Sequence, residues 1–115
     1  LTAVNALVDD DAKAALHEAM KSDRPDIRVR AAAALARHGD PAAFDVLKDL
    51  ATAPTPDQKE RVSDWAEAAE LALYGLAELG DPRALPVVTP LLESPVGKLR
   101  KAAAAALLWV ARSDT

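Results

Sequence analysis

Residues 27–41, IRVRAAAALARHGDP, run from a branched apolar residue and an arginine through small residues to a leucine, then end in His-Gly-Asp-Pro. Their apolar positions recur at helical spacing rather than in strict alternation. The closing turn carries the chemistry of one helix ending and another starting. Glycine supplies the left-handed residue that helix C-termini favour. Asp can cap the next helix, and Pro fits its first position because the amide hydrogen it lacks would have no partner there.

The marks recur as Gly80-Asp81-Pro82, and Asp9 stands where an earlier copy of the acid would fall. Asp9 and Asp40 lie 31 positions apart, and Asp40 and Asp81 lie 41 apart. Among the second helices the intervals come in reverse order. Ile27 aligns with Ala68, 41 positions on, and Ala68 with Leu99, 31 further on. One insertion of ten residues between Asp40 and Ala68 accounts for both long intervals, so two sets of marks agree on one register.

The register predicts stacked helical hairpins. Residues 1–8 read as the end of a preceding second helix, with Val4 and Leu7 in the places of Leu35 and His38. Repeat 1 covers 9–39, with a helix over 10–21 whose apolar stripe is Ala12, Ala15, Leu16, Ala19 and Met20, a turn at 22–25, and a helix over 26–38. Repeat 2 covers 40–80. Its first helix, 41–51, turns Phe44, Val46, Leu47 and Leu50 inward, and an insertion lies near 52–62. Its second helix starts near Pro56 under a capping box, Thr55-Pro56-Asp57-Gln58, and runs to Leu79. Repeat 3 covers 81–115, with a helix from Pro82 carrying Leu85, Val88, Leu91 and Leu92 and bent at Pro86 and Pro90, then a turn at 94–97 and a helix over 98–112. Both ends fall mid-pattern and Leu1 is not a methionine, which reads as an excerpt from a longer array whose targeting segment, if any, is open.

Composition sharpens the fold class. Half the residues are apolar, yet aromatics make up 3% and cysteine is absent. A core of Ala, Leu and Val suits closely approached helices, so the chain reads as all-α. The net charge of -4 argues against the basic face that nucleic-acid binding needs. No apolar run reaches the roughly 18 residues of a membrane span. The lack of cysteine suits a reducing, cytoplasmic setting.

The residues resemble HEAT-like repeats, particularly the short bacterial kind first noted in phycobilisome lyases. Gly80-Asp81-Pro82-Arg83-Ala84-Leu85-Pro86 matches the opening of that unit, Ile27-Arg28 and Leu99-Arg100 stand at its Val-Arg position, and residues 31–35 and 102–107 match its alanine-rich body. The middle unit departs from it, with Ala68-Ala69 at the Val-Arg position and the insertion before them. The resemblance implies a right-handed α-α superhelix of about three hairpins plus a leading helix end. It also implies an arginine ladder to acids through Arg28 and Arg100, and a binding surface along the second helices.

On that surface the third, seventh and eleventh positions of each second helix are Val29, Ala33 and Arg37; Glu70, Tyr74 and Glu78; and Lys101, Ala105 and Trp109. Exposed aromatics beside charges have the composition of an interface anchor. The expected partner-binding set is therefore Arg37, Glu70, Tyr74, Glu78, Lys101 and Trp109. The alternatives are that Trp109 covers the end of the stack and Tyr74 packs on the insertion. Trp65 is expected to anchor the insertion to the helix over 41–51, near Phe44. Asp9-Asp10-Asp11 reads as acids at the positive end of a helix dipole, and His17 as part of a solvated face, with no metal or other cofactor expected.

No phosphate loop, cysteine nucleophile or assembled triad appears, so the expected function is a non-catalytic scaffold for a protein or peptide. The resemblance also admits a tetrapyrrole (bilin) lyase or chaperone. DNA binding through Arg28, Arg30 and Arg37 is disfavoured by Glu60, Glu67, Glu70 and Glu78 on the neighbouring helix.

Overall fold

A computed structural model describes residues 2–113, with side-chain surroundings given for 10–111. It holds six α-helices and, among the described residues, no strand. They are α1 (Thr2–Ala19), α2 (Pro25–Arg37), α3 (Ala43–Ala51), α4 (Lys59–Leu79), α5 (Leu85–Val88) and α6 (Gly97–Ser113). Short 3-10 turns, Pro82–Ala84 and Thr89–Glu93, flank α5. Helices pair as α1–α2, α3–α4 and α5–α6, and the remaining substantial contacts join successive pairs, α2 to α3 and α4, α4 to α6, α3 to α5. The extents of 49 × 38 × 17 Å leave room for two helix layers in the thin direction. This is a line of hairpins, consistent with an α-α solenoid.

The turns behave as their chemistry requires. Gly39 and Gly80 take φ of 74° and 70°, the left-handed region that only glycine enters cheaply. Asp40 Oδ1 accepts from the Ala42 amide and Asp81 Oδ1 from the Arg83 amide, each at 2.9 Å. The second oxygen of each acid takes a basic side chain: His17 Nε2 lies 2.9 Å from Asp40 Oδ2, and Arg83 reaches Asp81 Oδ2 at 2.7 Å. These bonds hold both carboxyls below the usual Asp range, through the Ala42 amide foremost at Asp40 and the Arg83 side chain foremost at Asp81. His17 thus ties α1 to the turn between the first two hairpins, a role beyond the solvated face expected of it.

The core is small-residue packing. Leu35, Leu47, Leu73 and Leu76 are fully buried among Ala32, Ala69, Ala72 and Ala103. At Gly75 the helices approach closely: a Cβ there would lie 2.9 Å from Leu47 Cδ2 and 3.6 Å from the Ala33 Cα. Glycine in the middle of α4 therefore marks contact between α4, α3 and α2 rather than a break.

Several expectations need correction. No helix starts at Asp9, because α1 runs unbroken from Thr2 to Ala19. The three acids at 9–11 lack the Gly and Pro that punctuate the other two starts, so the expected boundary between 8 and 9 and the dipole role fall together. The equivalences of Val4 and Leu7 lie outside the described side chains. Ala12 and Ala15 are exposed, leaving Leu16 and Met20 to pack against the core. The helix expected from Pro56 starts at Lys59, with Gln58 as N-cap and no side-chain cap bond, because the two prolines hold 54–56 out of the helix. The helix from Pro82 is broken into three short pieces: Pro86 and Pro90 lack amide donors, and the Thr89 hydroxyl donates to the Leu85 carbonyl at 2.7 Å. Leu92 is 39% exposed, since the 3-10 turn rotates it off the buried side. The arginine ladder does not form among the described residues. Arg100 donates to the Ser94 carbonyl at 2.7 Å, and Arg28 Nε is buried without a partner. Ala69 removes the middle rung such a ladder would need.

Candidate functional site

The register that aligned the hairpins also places their side chains. In a helix, positions four apart share a face. Counted from the aligned Ile27, Ala68 and Leu99, the seventh and eleventh positions on α4 and α6, with the eleventh on α2, therefore fall on one flank of the stack. There Arg37, Tyr74, Ala77, Glu78, Ala105 and Trp109 line one groove of 540 Å³. Tyr74 is 41% exposed and Trp109 52% exposed, so two aromatics stand at its walls. Arg37 Nε lies 3.9 Å from Glu78 Oε2, beyond hydrogen-bond reach, and both side chains stay largely in water. Such a pair is weakly held and open to exchange with a partner's charges.

Four of the six expected partner-binding residues, Arg37, Tyr74, Glu78 and Trp109, thus share the groove. Glu70 and Lys101 do not line it. Glu70 is half-buried and Lys101 exposed, each one turn nearer its helix N-terminus. Val29, expected at the surface with them, is fully buried and shares a second cleft with Leu50, Trp65 and Leu71. Ala77 was not anticipated. Its small side chain forms the floor between Tyr74 and Glu78, and only spacing on α4 could have pointed to it.

The second cleft, 640 Å³, lies at the other end of α2 and α4, where the insertion joins. Trp65 anchors that insertion by donating its indole N–H to the Ala53 carbonyl at 3.0 Å. The contact is just past the C-terminus of α3 rather than at Phe44 in its first turn, where Arg83 stacks 4.4 Å from the ring centroid. Four arginines and four acids line the cleft, so it carries no net sign. Arg28 and Arg30 line it while Arg37 lies in the groove, which divides the basic stripe of α2.

Hairpins stacked in line, with a groove along their second helices, define an α-helical repeat solenoid. HEAT repeats match residues 1–69, and the PBS lyase HEAT-like repeat matches residues 68–94. The chain belongs to the HEAT-repeat family. The two matches meet at Ala68, the position the spacing aligned with Ile27 and Leu99. Comparison with curated proteins gives no match.

Proposed function

We propose that this chain is a non-catalytic scaffold that binds a protein segment or peptide in the groove along α2, α4 and α6. The observation that carries the reading is the convergence of Tyr74 and Trp109, from different repeats, on one concave surface with Arg37 and Glu78 beside them. Tyr and Trp bring large contact area at low entropic cost, and charges at the edge set register and orientation. The test selects displayed peptides on the parent chain, then measures their affinity for Tyr74→Ala and Trp109→Ala. Truncating an aromatic anchor costs about 2 kcal/mol or more, which is a loss of about 30-fold in Kd. Unfolding midpoints should stay near the parent's because both side chains are half-exposed. Equal affinity for parent and both variants would remove the groove from the account.

A second reading, a tetrapyrrole lyase or chaperone, draws on the PBS lyase HEAT-like match, which includes Tyr74 and Glu78. It needs an apolar groove with cations nearby; Arg37 lines the groove, and Lys101 lies one turn before Ala105 on α6. Mixing the chain with a bilin separates the two. An unchanged absorption spectrum fits the peptide scaffold, and a shifted band that Trp109→Ala abolishes favours the bilin.

A further inference from the structure

We propose that the cleft beside Trp65 binds the C-terminal residue of a peptide, taking its free carboxylate on Arg28 and its apolar side chain on the cleft floor. The lining residues fall between 23 and 71, so the cleft lies between the first two hairpins and not at an end of the stack. It shares no residue with the groove, and the inference stands apart from the proposed function.

The register shows that Arg28 is unspent. Arg28 and Arg100 hold the same place in their repeats, and the turns before them are built alike. Ser22 Oγ accepts from the Arg24 amide and Ser94 Oγ from the Val96 amide, each at 3.1 Å. Arg100 then donates to the Ser94 carbonyl, six positions back, at 2.7 Å. Ser22 stands six positions before Arg28, yet among the described residues no bond joins them, and Arg28 Nε is buried without a partner. A guanidinium always carries its charge, and a buried donor left unmatched is costly. Arg28 is half-buried and lines the cleft, so a ligand can reach it. A carboxylate there would gain a charge-assisted bond, roughly twice as strong as a neutral one.

Depth gives the cleft its sign. Its other three arginines and all four acids are exposed, where water weakens their fields. Arg24 is already matched with Asp26 at 3.0 Å. The floor holds one cation among apolar neighbours: Val29, Leu50 and Ala68 are buried, and Trp65 and Leu71 half-buried. Such a floor fits a carboxylate with an apolar group beside it, the chemistry of a chain ending in Leu, Ile, Val or Phe. The rim names the source. Its exposed acids and arginines offer acceptors and donors to the amides of a chain leaving the cleft, which a small apolar acid does not possess. The volume of 640 Å³ lies within the range of ligand pockets, about 300–1,000 Å³.

Fluorescence polarisation tests this with dye-labelled peptides, Ser-Gly-Ser-Gly-Ala followed by Leu, Ile, Val or Phe, each made as free acid and as C-terminal amide. At least one free acid should bind about 10-fold more tightly than its amide, as a hydrogen bond to a charged group predicts. Arg28→Gln should erase that preference, and Trp109→Ala, in the groove, should keep it. On the parent, that free acid should move the Arg28 Nε–H and Trp65 indole N–H resonances. Peptides displayed through their C-terminus lack the carboxylate and report on the groove alone. Equal affinity for acid and amide in all four pairs, a preference that survives Arg28→Gln, or binding that leaves the Arg28 resonance unmoved would each overturn the proposal. N-acetyl-leucine binding as tightly as the peptides would overturn it too, by making the occupant a small acid.

Discussion

Gly75→Ala should destabilise the parent chain yet stabilise it once Leu47 is shortened. Replacing glycine by alanine inside a helix gains about 1 kcal/mol of propensity. Here the new methyl would sit 2.9 Å from Leu47 Cδ2 and 3.1 Å from Cδ1, on a leucine with no exposed surface to swing into. Overpacking of this kind costs about 1–3 kcal/mol, so the net change is a loss of up to about 2 kcal/mol. Leu47→Ala alone should cost about 2–5 kcal/mol. It removes both methyls that the new Cβ would strike, so adding Gly75→Ala to it should recover about 1 kcal/mol. The sign change is the signature of contact, a coupling of about 0.5–3 kcal/mol in a double-mutant cycle. Urea unfolding of the four proteins, with equal slopes, measures it. If Gly75→Ala stabilises both backgrounds alike, α4 does not press on α3, and the close packing at Gly75 is wrong.

Other expectations follow from single contacts. Asp81 has a carboxyl held below its ordinary value of 3.8, so its contribution is present above that pH and lost as pH falls through the lowered pKa. Asp81→Asn keeps an oxygen for the Arg83 amide but cannot titrate, and its acid-unfolding limb should be shallower than the parent's; an identical limb would show the acid to be inert. Trp65→Phe loses the bond to Ala53, worth about 0.5–1.5 kcal/mol, and proteolysis should cut 52–58 faster; unchanged cleavage would mean the indole does not pin the insertion. His17→Ala should raise amide exchange in α1 and at the turn after Gly39, and unchanged exchange would show that the Asp40 contact carries no restraint.

Punctuation and period made the hairpins legible, and they failed where either was missing. Gly39 and Gly80 end helices as read because a left-handed residue at a C-terminus has few alternatives. Asp9 misled because an acid starts a helix only where something stops the one before it. Pro86 and Pro90 were seen as bends, but two missing amide donors within five residues left too few helical bonds for one continuous element. Of the seventh and eleventh positions of the second helices, counted from Ile27, Ala68 and Leu99, all but Ala33 emerged together at the groove because they follow helix period; Ala33 is half-buried against Gly75. The third positions scattered, with Val29 buried, because the insertion lengthens α4 and builds a cleft over the start of α2. Gly75 was invisible as a contact point, since a close approach between helices depends on which side chains face each other, and sequence spacing within one helix does not contain that.

Amide chemical shifts of the labelled chain, titrated with a peptide selected on it, test the central reading most directly. The largest changes should fall at Arg37, along 74–78 and along 105–109, three stretches far apart in sequence and adjacent only at the groove. Changes confined to the Trp65 cleft, or spread over α1 and α3 with those stretches silent, would contradict it.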